Sequence, residues 1–92
     1  MKVTIQYRGQ LATAAGRDRE EREVEPGQNL RSLIGDLAES GGGGFADIAR
    51  DSDGRVRRTL LVAVDGEQVV DLDAPLGEGI REIMLLPPIS GG

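Results

Sequence analysis

Leu30, Leu33, Ile34, Leu37 and Ala38 recur at the spacing of a single apolar helix stripe, and this run constrains the fold more than any other feature. A stripe of that width must be buried. In a chain of 92 residues there is room for one main helix and one sheet to cover it, within a single domain of modest core. Pro26-Gly27 breaks the chain ahead of the stripe, and Asn29 is placed to cap its first turn. Gly35 within the helix costs about 1 kcal/mol relative to Ala, and close approach to the sheet is the expected compensation. Gly41 ends the helix.

The remaining apolar pattern supplies the sheet. Val3, Ile5 and Tyr7 alternate with Lys2, Thr4, Gln6 and Arg8, which predicts a first strand with one buried face. After the small, Ala-rich stretch Leu11 to Gly16 and a turn at Gly16-Arg17-Asp18, the charged stretch Arg19 to Val24 reads as an edge strand protected by its charge. Leu60 to Val64 is continuously aliphatic and predicts a central strand buried on both sides. Asp65-Gly66 signals a hairpin returning through Glu67 to Val70, and Arg81 to Leu86 forms the last strand after the turn Gly77-Glu78-Gly79. Phe45 to Ala49 makes a short helical turn whose Phe45 enters the core. The order is α+β, with a mixed sheet of four to five strands around one main helix: a β-grasp domain over residues 1–86, followed by a tail at 87–92.

Composition removes several kinds of chemistry. Cysteine and histidine are absent, so disulfides, thiolate metal sites, a thiol nucleophile and a histidine base are excluded. With 16 acidic against 11 basic residues the net charge is −5, which disfavours nucleic acid as a partner. Arg55-Val56-Arg57-Arg58 is the one dense basic run, read as a solvated approach to a strand or as a docking patch for a protein. The glycines 41 to 44 follow a helix and lack a terminal Lys with Ser or Thr, so they read as a flexible loop rather than a phosphate cradle. Asp51-Ser52-Asp53-Gly54 lacks the outer ligands of a calcium loop and reads as a turn; no metal site is expected. The longest aliphatic run is too short to span a bilayer, and Met1-Lys2 leads directly into the first strand, so the expectation is a cytoplasmic protein without a membrane partner.

The stretch Pro87-Pro88-Ile89-Ser90-Gly91-Gly92 has the properties of a substrate. No side chain in it is charged, the prolines stiffen its exit, and the glycines carry no Cβ to obstruct threading into a narrow channel. Its terminal carboxylate becomes reactive only when activated, for example as an acyl-adenylate, and can then accept sulfur or an amine. A terminal Gly-Gly alone is weak evidence, since chain ends are commonly inert. Its launch from the apolar run Ile83-Met84-Leu85-Leu86 strengthens it.

Val62-Ala63-Val64-Asp65-Gly66, Leu76, Glu82-Ile83 and the closing Pro87-Pro88-Ile89-Ser90-Gly91-Gly92, with Pro26-Gly27 before the helix, resemble the ThiS/MoaD family of ubiquitin-like sulfur carrier proteins. The turn from Leu76 to Ile83 departs from the family pattern by one extra residue and by Arg81 where an acid is common. The chain is longer than the compact thiamin-type carriers, which favours the molybdopterin-synthase small-subunit group or a cysteine-biosynthesis-type carrier. The resemblance implies a carrier acting as cosubstrate, or as the small subunit of a sulfur-transferring synthase, rather than an enzyme. Such a carrier would itself bind no cofactor; an E1-like adenylyltransferase would spend ATP to adenylate Gly92. A sulfur donor, either a sulfurtransferase or a desulfurase, would convert the adenylate to a thiocarboxylate, and an acceptor such as the molybdopterin synthase large subunit would take the sulfur.

Within this scheme Gly92 is the reactive residue, Gly91 and Ser90 give unobstructed reach, Pro87 and Pro88 hold the tail clear of the sheet, and Gly91, Ser90, Ile89, Pro88 and Pro87 together are the tail that partners would recognise. Leu86, Met84 and Leu61 are candidates for an exposed apolar face gripped by partners, or for ordinary core positions. A ubiquitin-like modifier joined to lysines through Gly92 is an alternative, and a β-grasp binding module with an inert tail is a third.

Overall fold

The computed structural model describes residues 1–40 and 43–87. Its elements, in order, are β1 (Lys2–Tyr7), α1 (Gln10–Ala15), β2 (Arg19–Glu23), α2 (Leu30–Ser40), α3 (Gly43–Ala49), β3 (Leu61–Val64), β4 (Glu67–Val69) and β5 (Glu82–Leu86). The strands form one mixed sheet in the order β2-β1-β5-β3-β4. β1 and β5 are parallel neighbours and the other pairs are antiparallel. This is the β-grasp architecture expected from the sequence.

The helix stripe is buried as its spacing requires: Leu30, Leu33, Ile34, Leu37 and Ala38 all lie in the core. They meet Val3, Ile5 and Tyr7 of β1, with Val62, Ile83 and Leu85, in one apolar cluster. Asn29 caps α2, its Oδ1 accepting from the Ser32 amide at 2.8 Å. Leu76 is tied to the residue before that cap, its amide donating to the Gln28 carbonyl at 2.9 Å, and buries its side chain. The charged strand β2 is indeed an edge, paired only with β1. Tyr7 donates from its hydroxyl to the Glu20 carboxylate on that strand, and Arg17 and Arg22 lie on the same carboxylate.

Four expectations change. Leu60–Val64 is not buried on both sides: Leu60 and Val62 are buried, Leu61 and Ala63 are only partly buried because they face away from the helices, and Val64, at the end of the strand, is also partly exposed. The central strand of the sheet is β5 instead. The Ala-rich stretch after Gly9 forms helix α1, which has no side-chain N-cap and is held by burial of Leu11. Gly35 does not approach the sheet; the Arg50 guanidinium lies over it and donates to its carbonyl at 2.9 Å. Finally, the four-glycine run is not all loop, since Gly43 and Gly44 begin α3. A Cβ at Gly44 would stand 3.3 Å from the Ala14 Cβ, so a small residue there lets α3 pack on α1. Phe45 of α3 does plug the core, edge-on to Tyr7 with ring centroids 5.5 Å apart.

Candidate functional site

The site is built outward from β5. Hydrogen-bonded on both sides, to β1 and to β3, it is the middle strand of the five. Alternation divides its side chains: Ile83 and Leu85 are fully buried beneath α2, while Glu82, Met84 and Leu86 are half-buried on the opposite face.

Two contacts fix the point where the chain leaves the sheet. The Arg8 amide donates to the Leu85 carbonyl at 3.0 Å, extending the β1–β5 ladder by one bond. Gly9, at φ 54° and ψ −129°, then turns the chain away from β1 in a conformation that favours glycine. A Cβ at Gly9 would lie 3.2 Å from Cγ of Pro87, so the proline ring rests where a side chain would otherwise stand. Pro87 is thus seated against the β1–α1 junction, not held clear of the domain by its own stiffness alone. Pro88, Ile89, Ser90, Gly91 and Gly92 lie outside the described residues.

The other end of β5 is pinned by Asp65. Asp65 and Gly66 have φ of 49° and 88°, the left-handed pair that a two-residue β3–β4 hairpin demands. From that position Oδ1 of Asp65 accepts from the amides of Arg81 at 3.0 Å and Glu82 at 2.9 Å. Its own amide donates to the Glu82 carbonyl at 2.9 Å. The Asp-Gly dipeptide announced the turn in the sequence. Its grip on β5 was not legible there, because the partners come together only through the sheet.

The structure brings Leu61, Met84 and Leu86 onto one face. Leu61 stands opposite Leu86 and Ala63 opposite Met84 across the β3–β5 ladder, and Gln6 of β1 is beside Met84 on its other side. This face carries none of the three helices' buried contacts, and its apolar members are half-buried by one another. Gln6 bounds it, donating through Nε2 to the Glu82 carboxylate at 2.8 Å. The result is an apolar strip on the open face of the sheet, immediately before the tail.

The perturbed ionisations lie elsewhere and serve structure. Burial, reinforced by the Glu20 hydrogen bond, pushes the Tyr7 hydroxyl well above its usual range. On the surface, hydrogen bonding between Arg31 and Asp73 raises the guanidinium and lowers the carboxyl. Tyr7 lies on the buried face of β1 with Val3 and Ile5, on the side of the sheet away from the strip.

The ThiS family model matches residues 5–92, so the match spans nearly the whole chain and runs through the Gly-Gly end. SAMP1 from Haloferax volcanii, a small archaeal modifier protein, is 22% identical with a TM-score of 0.84, covering all of both chains. A putative molybdopterin converting factor subunit 1 from Pyrococcus furiosus is 27% identical with a TM-score of 0.72, covering 97% of this chain and 99% of that one. A chain from the complex of subunits 1 and 2 of the molybdopterin-converting factor of Helicobacter pylori is 23% identical with a TM-score of 0.60 over the whole of both chains. No curated protein matches by sequence. With the β-grasp sheet, a central last strand and a family match reaching the final glycine, the chain belongs to the ThiS family.

Proposed function

We propose that the protein is a sulfur carrier whose working group is the Gly92 carboxylate. The observation that carries this reading is the family match extending to Gly92, on a chain without cysteine or histidine. With no thiol of its own, the chain can carry sulfur only on a carboxyl group. An E1-like enzyme joins Gly92 to AMP with release of pyrophosphate; the persulfide of a donor protein then displaces AMP to form an acyl disulfide, and a thiol of that donor cleaves its S–S bond, leaving the Gly92 thiocarboxylate and a disulfide on the donor. An acceptor enzyme then takes the sulfur. The likeness to molybdopterin converting factor subunit 1, one example solved with its subunit 2, favours an acceptor of that type. The domain's part is positional: β5, pinned at Asp65 and at Gly9, sets the direction of Pro87, and the strip of Leu61, Met84 and Leu86 offers partners a surface next to the reacting end.

The fold likeness to SAMP1 supports a second reading, in which an amine takes the place of sulfur and Gly92 becomes an amide on a target lysine. Incubation of the full chain with an E1-like enzyme of the family and ATP tests the step common to both. Pyrophosphate release should depend on the chain and vanish on deletion of Gly91-Gly92, with the thermal unfolding curve unchanged. Undiminished function after that deletion would favour the inert-tail module instead.

A further inference from the structure

The arginine run before β3 is not used by the tail chemistry, and the fold puts it to another purpose. Arg55, Arg57 and Arg58 line a groove of about 670 Å³ together with Leu61, Val70 and Leu72. Val70 is 87% exposed, the one large hydrophobic so exposed among the described residues. Arg31 also lines the groove, and Asp51 is its only acidic member. Asp51 is already engaged, its Oδ1 accepting from the amides of Asp53 and Arg55. Arg31 is engaged by Asp73. Arg55 and Arg58 form no ion pair among the described residues. A chain of net charge −5 therefore gathers positive charge around an exposed valine in one concave place.

The groove lies beside β4, an edge strand of three residues paired only with β3. An edge of that kind leaves backbone groups free to pair with an added strand. Leu61 belongs to the groove and also stands opposite Leu86, so the groove is continuous with the open apolar strip.

We propose that this groove binds an extended acidic and aliphatic segment of a protein partner. Its carboxylates meet Arg55 and Arg58, an aliphatic side chain covers Val70 and Leu61, and its backbone pairs along β4. Charge complementarity and the uncovered valine both select such a peptide. Nucleic acid is disfavoured by the net charge and by the burial of both aromatic side chains, Tyr7 and Phe45, which leaves no stacking surface. The proposal does not depend on the chemistry of Gly92.

The test is selection of a random dodecapeptide phage library against the full chain at low salt, followed by NMR titration with the best synthetic peptide. Enriched peptides should combine Asp or Glu with Ile, Leu or Val, and should shift amide resonances of residues 55–61 and 68–72. The double variant Arg55→Glu, Arg58→Glu should bind about tenfold or more weakly, as should Val70→Asp, and rising salt should weaken the wild-type complex. All these side chains but Leu61 are exposed, so unchanged circular dichroism is expected of the variants. No enrichment, enrichment of peptides without acids, shifts confined to other surfaces, or tighter binding of a single-stranded oligonucleotide would each overturn the proposal.

Discussion

Replacing Asp65 by alanine should destabilise the domain far more than its exposed position at a hairpin tip suggests. Two losses add. The amides of Arg81 and Glu82 lose a charged acceptor at 3.0 and 2.9 Å; water replaces part of this, leaving about 2 kcal/mol for the pair. Alanine must also hold φ near 49°, which aspartate tolerates better, for about 1 kcal/mol more. The sum is about 3 kcal/mol, or roughly 12–24 °C in Tm for a domain of this size. Asp65→Asn keeps the turn and one acceptor oxygen and should cost only about 1 kcal/mol. Thermal and urea unfolding by circular dichroism measure both variants, and amide hydrogen exchange should quicken at Arg81 and Glu82 in Asp65→Ala. An alanine variant within about 0.5 kcal/mol of wild type, or an asparagine variant equally damaged, would refute the additive account.

Tyr7 is the only tyrosine and tryptophan is absent, so ultraviolet titration reads this one phenol. Its pKa is raised in the folded state, so folding retains a proton that the unfolded chain releases near pH 10; the stability is present below that pH and falls as pH rises above it. Phenolate absorbance should therefore appear together with loss of circular dichroism, and Tyr7→Phe should flatten the alkaline decline. Gly9→Ala should cost about 1–3 kcal/mol and shift the resonances of Pro87, because its backbone conformation disfavours a side chain and its Cβ presses on the ring. Leu85→Ala should cost about 2–5 kcal/mol, whereas its half-exposed neighbour Leu86→Ala should cost under about 1 kcal/mol, as equilibrium unfolding would show. If Gly92 is joined to amines, side-chain linkage between copies of this chain is confined to Lys2, its only lysine; peptide mapping should find no such branch in Lys2→Arg.

The parts of the fold legible in the sequence are those with a long period or a strong local signal. The five-residue stripe of α2, the alternation of β1, the Asn29 cap and the Asp65-Gly66 hairpin all hold. Helix α1 was hidden because six residues carry less than two turns of periodicity, and because its stabilisation is the tertiary burial of Leu11. The continuous run at Leu60–Val64 suggested burial on both faces, yet hydrophobicity alone cannot separate a second helix layer from a surface kept for a partner. Of the candidate site, the grouping of Leu61, Met84 and Leu86 depended on strand register, which only the assembled sheet supplies. The seat of Pro87 on Gly9 joins opposite ends of the chain and left no trace in either.

Sulfur carried on the Gly92 carboxyl is visible to intact mass spectrometry of untagged protein purified gently from its own cells. A fraction heavier by one oxygen-to-sulfur exchange is expected, mapped by fragmentation to the Gly92 carboxyl. Unmodified protein alone, under conditions shown to preserve a synthetic thiocarboxylate of the same chain, would contradict it; higher-mass conjugates bearing a Gly-Gly remnant on lysine would transfer the assignment to protein modification.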